Sequence, residues 1–279
     1  MKSLAISNLG RAFGHVAPIR GVPRVLYKSY ANAVDLPTED RVTRTKGGDV
    51  FLANLSSQIE WAAWVFGSYE PIMAKVLASR VGPGDVCLDV GANVDLHTIR
   101  MARLGAHVHA FEPVPDLRNP LEQYLALNAL ENVTVHDTAV AADNGEVELF
   151  VGDTTRRNRG MASLYETSVA GGATVVRAVR IDDLGFPRVD LMKIDVQGAE
   201  TDVLKGAVAT LERDRPVVLF EYLHAHVEET GHNPLQFISD LGFRVNEVEY
   251  LCPFFTGHFR VRPLTDRIRT GNRMLIAEA

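Results

Sequence analysis

Cysteine is scarce: Cys87 and Cys252 are the only two in 279 residues. Two cannot supply the framework of bridges that staples small secreted domains. Cys87 also lies inside the apolar run Val86–Val90, where a structural thiol is expected and not a reactive one. Long hydrophobic runs are missing too. No window approaches the roughly 20 apolar residues that cross a bilayer, and the opening MKSLAISNLGRAFGHV has one early lysine without the sustained apolar core of a signal peptide. Positive charge is not in excess, since 29 Lys and Arg face 35 Asp and Glu for a net charge of −6. That balance argues against a protein that neutralises many phosphates, and so against a nucleic-acid partner. Internal repeats and low-complexity stretches are absent as well. These absences predict a soluble, cytoplasmic protein with no membrane or nucleic-acid partner, and they leave a homodimer open.

What is present reads as an α/β protein. Apolar residues make up 46% of the chain, and its length can bury one full α/β core with an added subdomain. Residues 1–80 do not read as repeated strand–helix units. Val50 to Leu55 suggests a short strand after the Gly47-Gly48 turn, and Pro71 to Ser79 has helical spacing of Ile72, Val76 and Leu77. This region is expected to be a cap of helices and a hairpin. Residues 81–279 read as the main domain. Short apolar strands at Val86–Val90, Val108–Phe111, Val133–His136, Leu191–Ile194 and Val217–Phe220 alternate with helical segments, among them one from Ala199 to Arg213. Such alternation implies a parallel sheet with right-handed crossovers. Glu146 to Val151 adds an edge or hairpin strand, and Phe243–Val248 with Met274–Ala277 is expected to close the sheet as a final antiparallel pair.

The stretch VCLDVGAN, Val86 to Asn93, is a strand followed by a glycine turn and a helix, at the place where such sheets bind nucleotides. Gly91 lets the backbone turn tightly beside a ligand. Asn93 is a good capping residue, so the next helix is expected to start there with its N–H groups facing the ligand. Asp89, at the strand end, is expected to orient the loop and to meet a ligand ammonium, directly or through water. Glu112 follows the next strand about 20 residues after the turn, where an acid accepts from both ribose hydroxyls of an adenosine. Dinucleotide-binding proteins share that acid but need a second turn glycine for the pyrophosphate. Here Gly91 is followed by Ala92, Asn93, Val94 and Asp95. An aspartate repels a pyrophosphate and attracts the ammonium of a methionine, so S-adenosylmethionine is the predicted cofactor and a nicotinamide the rival.

At this point the chain resembles the FkbM family of methyltransferases. DVGAN at Asp89 to Asn93, AFEP at Ala110 to Pro113 and LMKIDVQGAE at Leu191 to Glu200 stand in that family's order and spacing, with FGSYEP at Phe66 to Pro71 as a lead-in. The resemblance implies a Rossmann-like class I methyltransferase fold, with a mostly parallel seven-stranded sheet ending in an antiparallel hairpin. It also implies O-methylation of a hydroxyl on a small natural product or sugar. By that similarity Gly91 and Asn93 lie against the methionine part of S-adenosylmethionine and Glu112 against its ribose. Asp137 or Thr138 approaches the adenine, and Asp195 projects into the crevice where the methyl group is presented. The family usually carries glycine where this chain has Asp95, a change that either clamps the cofactor's amino group, weakens its binding or marks an altered activity.

Methyl transfer to a hydroxyl needs alignment and a group that takes the proton. Asp195 is the first candidate base, and His224 in the run Glu221, Tyr222, His224 and His226 the second, because histidine titrates near neutrality. Glu221, Tyr222 and Ser163 are candidate acceptor contacts, while Glu200 can orient the loop after Asp195. Arg156, Arg157 and Arg159 suit an anionic acceptor or a solvated loop, and Tyr250 to Phe259 suits an apolar pocket or simple packing. Asp195, Glu221 and His224 are chemically able to hold a divalent metal, but the resemblance requires none, and no metal is expected. Two other functions fit less of the sequence: a non-catalytic cofactor-binding or scaffold protein, motivated by Asp95, and an NAD(P)-dependent oxidoreductase.

Overall fold

A computed structural model describes residues 41–54, 58–68, 70–94, 96–152, 162–163, 171–250, 259–264, 268 and 272–279. Asp95, the three loop arginines, Cys252, residues 251–258 and the first 40 residues lie outside that set, as do the side chains of Ser163 and Tyr250.

The described chain opens with a hairpin, β1 (Arg41–Arg44) and β2 (Val50–Ala53), paired antiparallel. Gly48, at φ +90°, makes its turn possible, and the Thr45 hydroxyl both donates to the Asp49 carboxylate and accepts from the Asp49 N–H. Helices α1 (Gln58–Phe66) and α2 (Pro71–Arg80) follow. The α2 side chains Ile72, Met73, Val76 and Leu77 pack with Cys87, Val108, Leu191 and Ile276, so this helix covers one face of the central sheet. Phe51, Trp61 and Trp64 bury against Ile99, Leu117, Leu121 and Tyr124, which fixes the hairpin and α1 to the body.

Strand β3 (Val86–Val90), helix α3 (His97–Arg103), strand β4 (His107–Phe111), helix α4 (Pro115–Leu127) and strand β5 (Val133–His136) form the first crossovers. A side sheet follows: β6 (Ala139–Val140), β7 (Gly145–Gly152), β8 (Ala162–Ser163) and β9 (Gly171–Val179), in the order β6-β9-β7-β8. The chain then returns through β10 (Leu191–Ile194), α5 (Glu200–Lys205), α6 (Val208–Asp214), β11 (Val217–Leu223), α7 (His224–Thr230) and α8 (Pro234–Asp240). It ends with β12 (Arg244–Tyr250), β13 (Phe259–Pro263) and β14 (Asn272–Glu278).

The central sheet has the order β13-β12-β14-β11-β10-β3-β4-β5. Its pairs from β5 to β11 are parallel, and those of β14 with β11 and β12 are antiparallel. The expected parallel sheet with its antiparallel closing pair is present. An eighth strand, β13, continues the antiparallel edge on β12. The helix expected from Ala199 to Arg213 is two helices. A Cβ at Gly206 would overlap the Ala141 carbonyl, which holds the break close against the side-sheet segment, and Asp182 caps the second helix by accepting from the N–H groups of Ala209 and Thr210. Buried Cys87 behaves as a core residue, its thiol pushed up to about 12 chiefly by burial.

Candidate functional site

The carboxyl ends of β4, β3 and β10 lie side by side in the sheet, and each carries one part of the site. At the centre, Gly91 sits at φ +77°, where a Cβ would overlap the Asp195 carbonyl oxygen. Only glycine lets the turns after β3 and β10 close on each other. Asn93 also has positive φ, +51°, which asparagine tolerates better than most residues. Its side chain bonds the N–H of Val94 at 2.6 Å and does not cap a helix there. Helix α3 starts four residues later than Asn93, at His97. The turn's N–H groups are spent internally: those of Gly91 and Ala92 donate to the Phe111 carbonyl, and that of Asn93 donates to Glu112 at 2.9 Å. The helix start expected at Asn93 is therefore corrected to His97, and the N–H groups of the turn itself are bonded within the protein.

Asp89 is corrected as well. It is 0% exposed, and it accepts from the Thr98 hydroxyl at 2.6 Å and from the Lys193 ammonium at 3.0 Å. Lys193, 2% exposed, stands directly opposite on the parallel neighbour β10. A charge this deep in the sheet needs a partner and donors to be tolerated. The pair ties β3, β10 and α3 together beneath the turn, and Asp89 acts on the loop from below. The signal was in the sequence: a lysine in the apolar strand LMKI and an aspartate in the apolar strand VCLDV each call for a counter-charge.

Glu112 follows β4 and is 4% exposed, accepting from the N–H of Asn93 and, at 2.8 Å, from the N–H of Val114. Burial pushes its carboxyl up to about 7, against the pull of those two N–H groups. Asp137 is exposed just past β5 and Thr138 beside it is buried. Both lie next to Glu112, whose N–H bonds the His136 carbonyl at 3.0 Å. The His136 ring stacks on Phe111 with centroids 4.4 Å apart, and His109 contacts it at 3.1 Å. Burial lowers both histidines, keeping this wall neutral.

After β10, Asp195 is half-buried and its Oδ1 accepts from the Gln197 amide at 2.7 Å. Gln197 and Gly198 have φ of +53° and +112°. Glu200 clasps this turn, accepting from the N–H groups of Val196 and Gly198, and burial raises it to about 7. The histidine against the turn is His226: its ring lies so close over Gly198 that a Cβ there would meet Cε1 at 2.9 Å. His224 is placed differently, with Nε2 3.3 Å from Glu228 one helical turn on. Tyr222 is 4% exposed and packs in the core with Phe220 and Ile238, so its expected contact with an acceptor is corrected; Glu221 falls on the opposite side of the strand. Among the described residues no cluster of three or more His, Cys, Asp or Glu converges on a metal position. Asp95 and the Ser163 side chain lie outside the described residues.

The chain is similar in sequence to known methyltransferases. The 2-O-methyltransferase NoeI of Sinorhizobium fredii is 27% identical over 175 residues, which cover 57% of this chain and 71% of that protein. Methyltransferase sdnD of Sordaria araneosa is 32% identical over 43% of this chain and 59% of its own length. Hexuronic acid methyltransferase AglP of Haloferax volcanii is 26% identical over 57% of this chain and 64% of its own length. The match thus spans about three-fifths of the length of the latter two. Residues 89–245, from the end of β3 to the start of β12, match the Methyltransferase FkbM domain, and the chain belongs to that family of S-adenosylmethionine-dependent methyltransferases.

Proposed function

We propose that the chain transfers the methyl group of S-adenosylmethionine to a hydroxyl oxygen of a small natural-product or sugar acceptor. The observation that carries this reading is the chemistry offered at the three strand ends. With its N–H groups spent internally, the turn at Gly91 gives a pyrophosphate nothing to sit in. The carboxylates that flank the turn are Glu112, buried on the N–H groups of Asn93 and Val114, and half-buried Asp195, and their remaining acceptor capacity suits a ribose diol and a cation. The residues therefore fit S-adenosylmethionine and do not fit a dinucleotide. Asp137 and Thr138 follow the strand beside Glu112, which supports assigning them to the adenine. The 2-O-methyltransferase and hexuronic acid methyltransferase among the relatives support a hydroxylated acceptor.

When bound, the cofactor supplies a methyl carbon on a sulfonium, an electrophile that needs no further activation. The chain's part is to hold the acceptor oxygen in line with it and to take its proton. With the methyl transferred from sulfur to the acceptor oxygen, the hydroxyl proton would go to a base on the β10–β11 side. Asp195, His224 and His226 are the candidate side chains there. Burial lowers His226, so it stands in the neutral form that accepts a proton.

The test is incubation with methyl-labelled S-adenosylmethionine and a panel of hexuronic acids, deoxyhexoses and phenols. Label is expected in an alkali-stable methyl ether, with S-adenosylhomocysteine as the co-product. Label in an amine or an ester would contradict an oxygen ether as the product.

A further inference from the structure

We propose that a cleft between the first hairpin and α3 binds a carboxylate of the acceptor through Arg100, so that the acceptor is an acidic molecule. The inference rests on the methyl-transfer reading above and narrows its acceptor. The cleft lies between the hairpin turn at Gly47 and Asp49, Ala74 of α2, and Leu96, His97 and Arg100 of α3. Leu96 and His97 open α3 just after the turn that holds Gly91 and Asn93. Arg100 lies about 4.5 Å further along the helix axis. The cleft thus adjoins the methyl-donor site on its hairpin side.

Two arginines on successive turns of α3 make the contrast. Arg103 is fully employed: it donates to the Gly48 carbonyl at 3.2 Å and to the Asn128 side chain at 2.9 Å, and its Nε stands 3.1 Å from the Asp49 carboxylate. Arg100 is half-buried, yet among the described residues nothing accepts from its guanidinium, and its Nε is buried without a hydrogen bond. A cation with unmet donors at such a place is costly until an anion completes it. The acids already at the cleft are committed, Asp49 to Arg103 and the Thr45 hydroxyl, and Glu70 to His97 at 3.2 Å. Gly47 is an independent sign. Its φ lies outside the left-handed region, so the turn does not itself require glycine, but a Cβ there would stand 2.8 Å from Arg100 Nη1. Glycine keeps the edge of the guanidinium open. The cavity measures about 30 Å³. One water needs about 10–15 Å³, so the two oxygens of a carboxylate fill the cavity, whereas a tetrahedral phosphate overfills it. The arginine fork meets those two oxygens with parallel N–H bonds.

Direct binding tests this without any methyl transfer. D-glucuronate, D-glucose and α-D-glucose 1-phosphate are titrated calorimetrically into the wild type, Arg100→Leu and Gly47→Ala, each with and without saturating S-adenosylhomocysteine. Thermal melts confirm that both variants fold, and titration of S-adenosylhomocysteine alone reads the donor site. Glucuronate is expected to bind the wild type about 10- to 100-fold more tightly than glucose, the range for hydrogen bonds to a charged group. Arg100→Leu should remove that advantage and Gly47→Ala should reduce it, with the affinity for S-adenosylhomocysteine unchanged in both. Glucuronate binding no more tightly than glucose would overturn the proposal, as would an advantage that survives in Arg100→Leu. Glucose 1-phosphate binding more tightly than glucuronate would overturn the assignment of a carboxylate. A weaker affinity for S-adenosylhomocysteine in Arg100→Leu would move Arg100 to the methyl donor and overturn the proposal too. A wild type that binds no S-adenosylhomocysteine but keeps an Arg100-dependent preference for glucuronate would sink the methyl-transfer reading, and the carboxylate's assignment to a methyl acceptor with it.

Discussion

Replacing Lys193 with methionine is expected to cost about 3–5 kcal/mol of folding stability, the usual penalty for leaving one member of a buried ion pair behind. The reason is specific to Asp89. Its carboxylate has no exposure, and after the substitution the neutral Thr98 hydroxyl still donates to it but no cation does. For a chain of this size the melting temperature should fall by on the order of 10 °C. The double variant Lys193→Met with Asp89→Asn removes the stranded charge and keeps an acceptor for Thr98, so it should recover most of the loss. A chemical denaturation series on the three proteins measures both effects. A single variant within about 1 kcal/mol of wild type, where a stranded buried charge costs about 3–5 kcal/mol, would show that the pair does not carry the weight assigned to it.

The second large effect is on pH. Glu112 titrates near 7 because it is buried, and a carboxyl that must accept from two ribose hydroxyls has to be ionised. Apparent affinity then scales with the ionised fraction. S-adenosylhomocysteine should bind about tenfold more weakly for each pH unit below 7, reaching roughly a hundredfold at pH 5, and level off above pH 8. Glu112→Gln, which accepts with one oxygen and does not titrate, should bind weakly with a flattened slope. Stability of the ligand-free protein runs the opposite way. Glu112 and Glu200 both stand above the usual value of 4.5. Their contribution to folding is complete below about 4.5 and is lost as the pH rises through 7. The lowered histidines His109, His136 and His226 oppose this on the acid side, since a histidine kept neutral by the fold costs stability as the pH falls below 6.5. A wild-type affinity independent of pH between 5 and 8 would remove Glu112 from the ribose.

Most of the frame was legible in the sequence because the signals are local. Alternating strands and helices gave the parallel sheet, the glycine at 91 marked the turn, and the spacing to Glu112 placed the acid on the next strand. Features that depend on which strands become neighbours were less legible. Asp89 and Lys193 are 104 positions apart and meet because β10 inserts beside β3. Asn93 was a sound capping residue by type, yet in a left-handed conformation its side chain satisfies its own neighbour and the helix starts at His97. Tyr222 and His226 turned on facing. Both sides of β11 are covered, so the aromatic ring of Tyr222 joins the core, and α7 brings His226 over Gly198 while His224 pairs with Glu228. Helix α6 shows the same limit, since its start is set by a cap from Asp182, 27 and 28 positions away from the two N–H groups it accepts.

The most direct test of the central claim is calorimetric titration of S-adenosylhomocysteine into the folded protein at pH 8. One binding site of micromolar affinity, abolished by Gly91→Ala, is the predicted result, because a Cβ at that position drives the Gly91 and Asp195 turns apart. No heat of binding from a protein whose melt is cooperative would contradict the assignment of these three strand ends as the methyl-donor site.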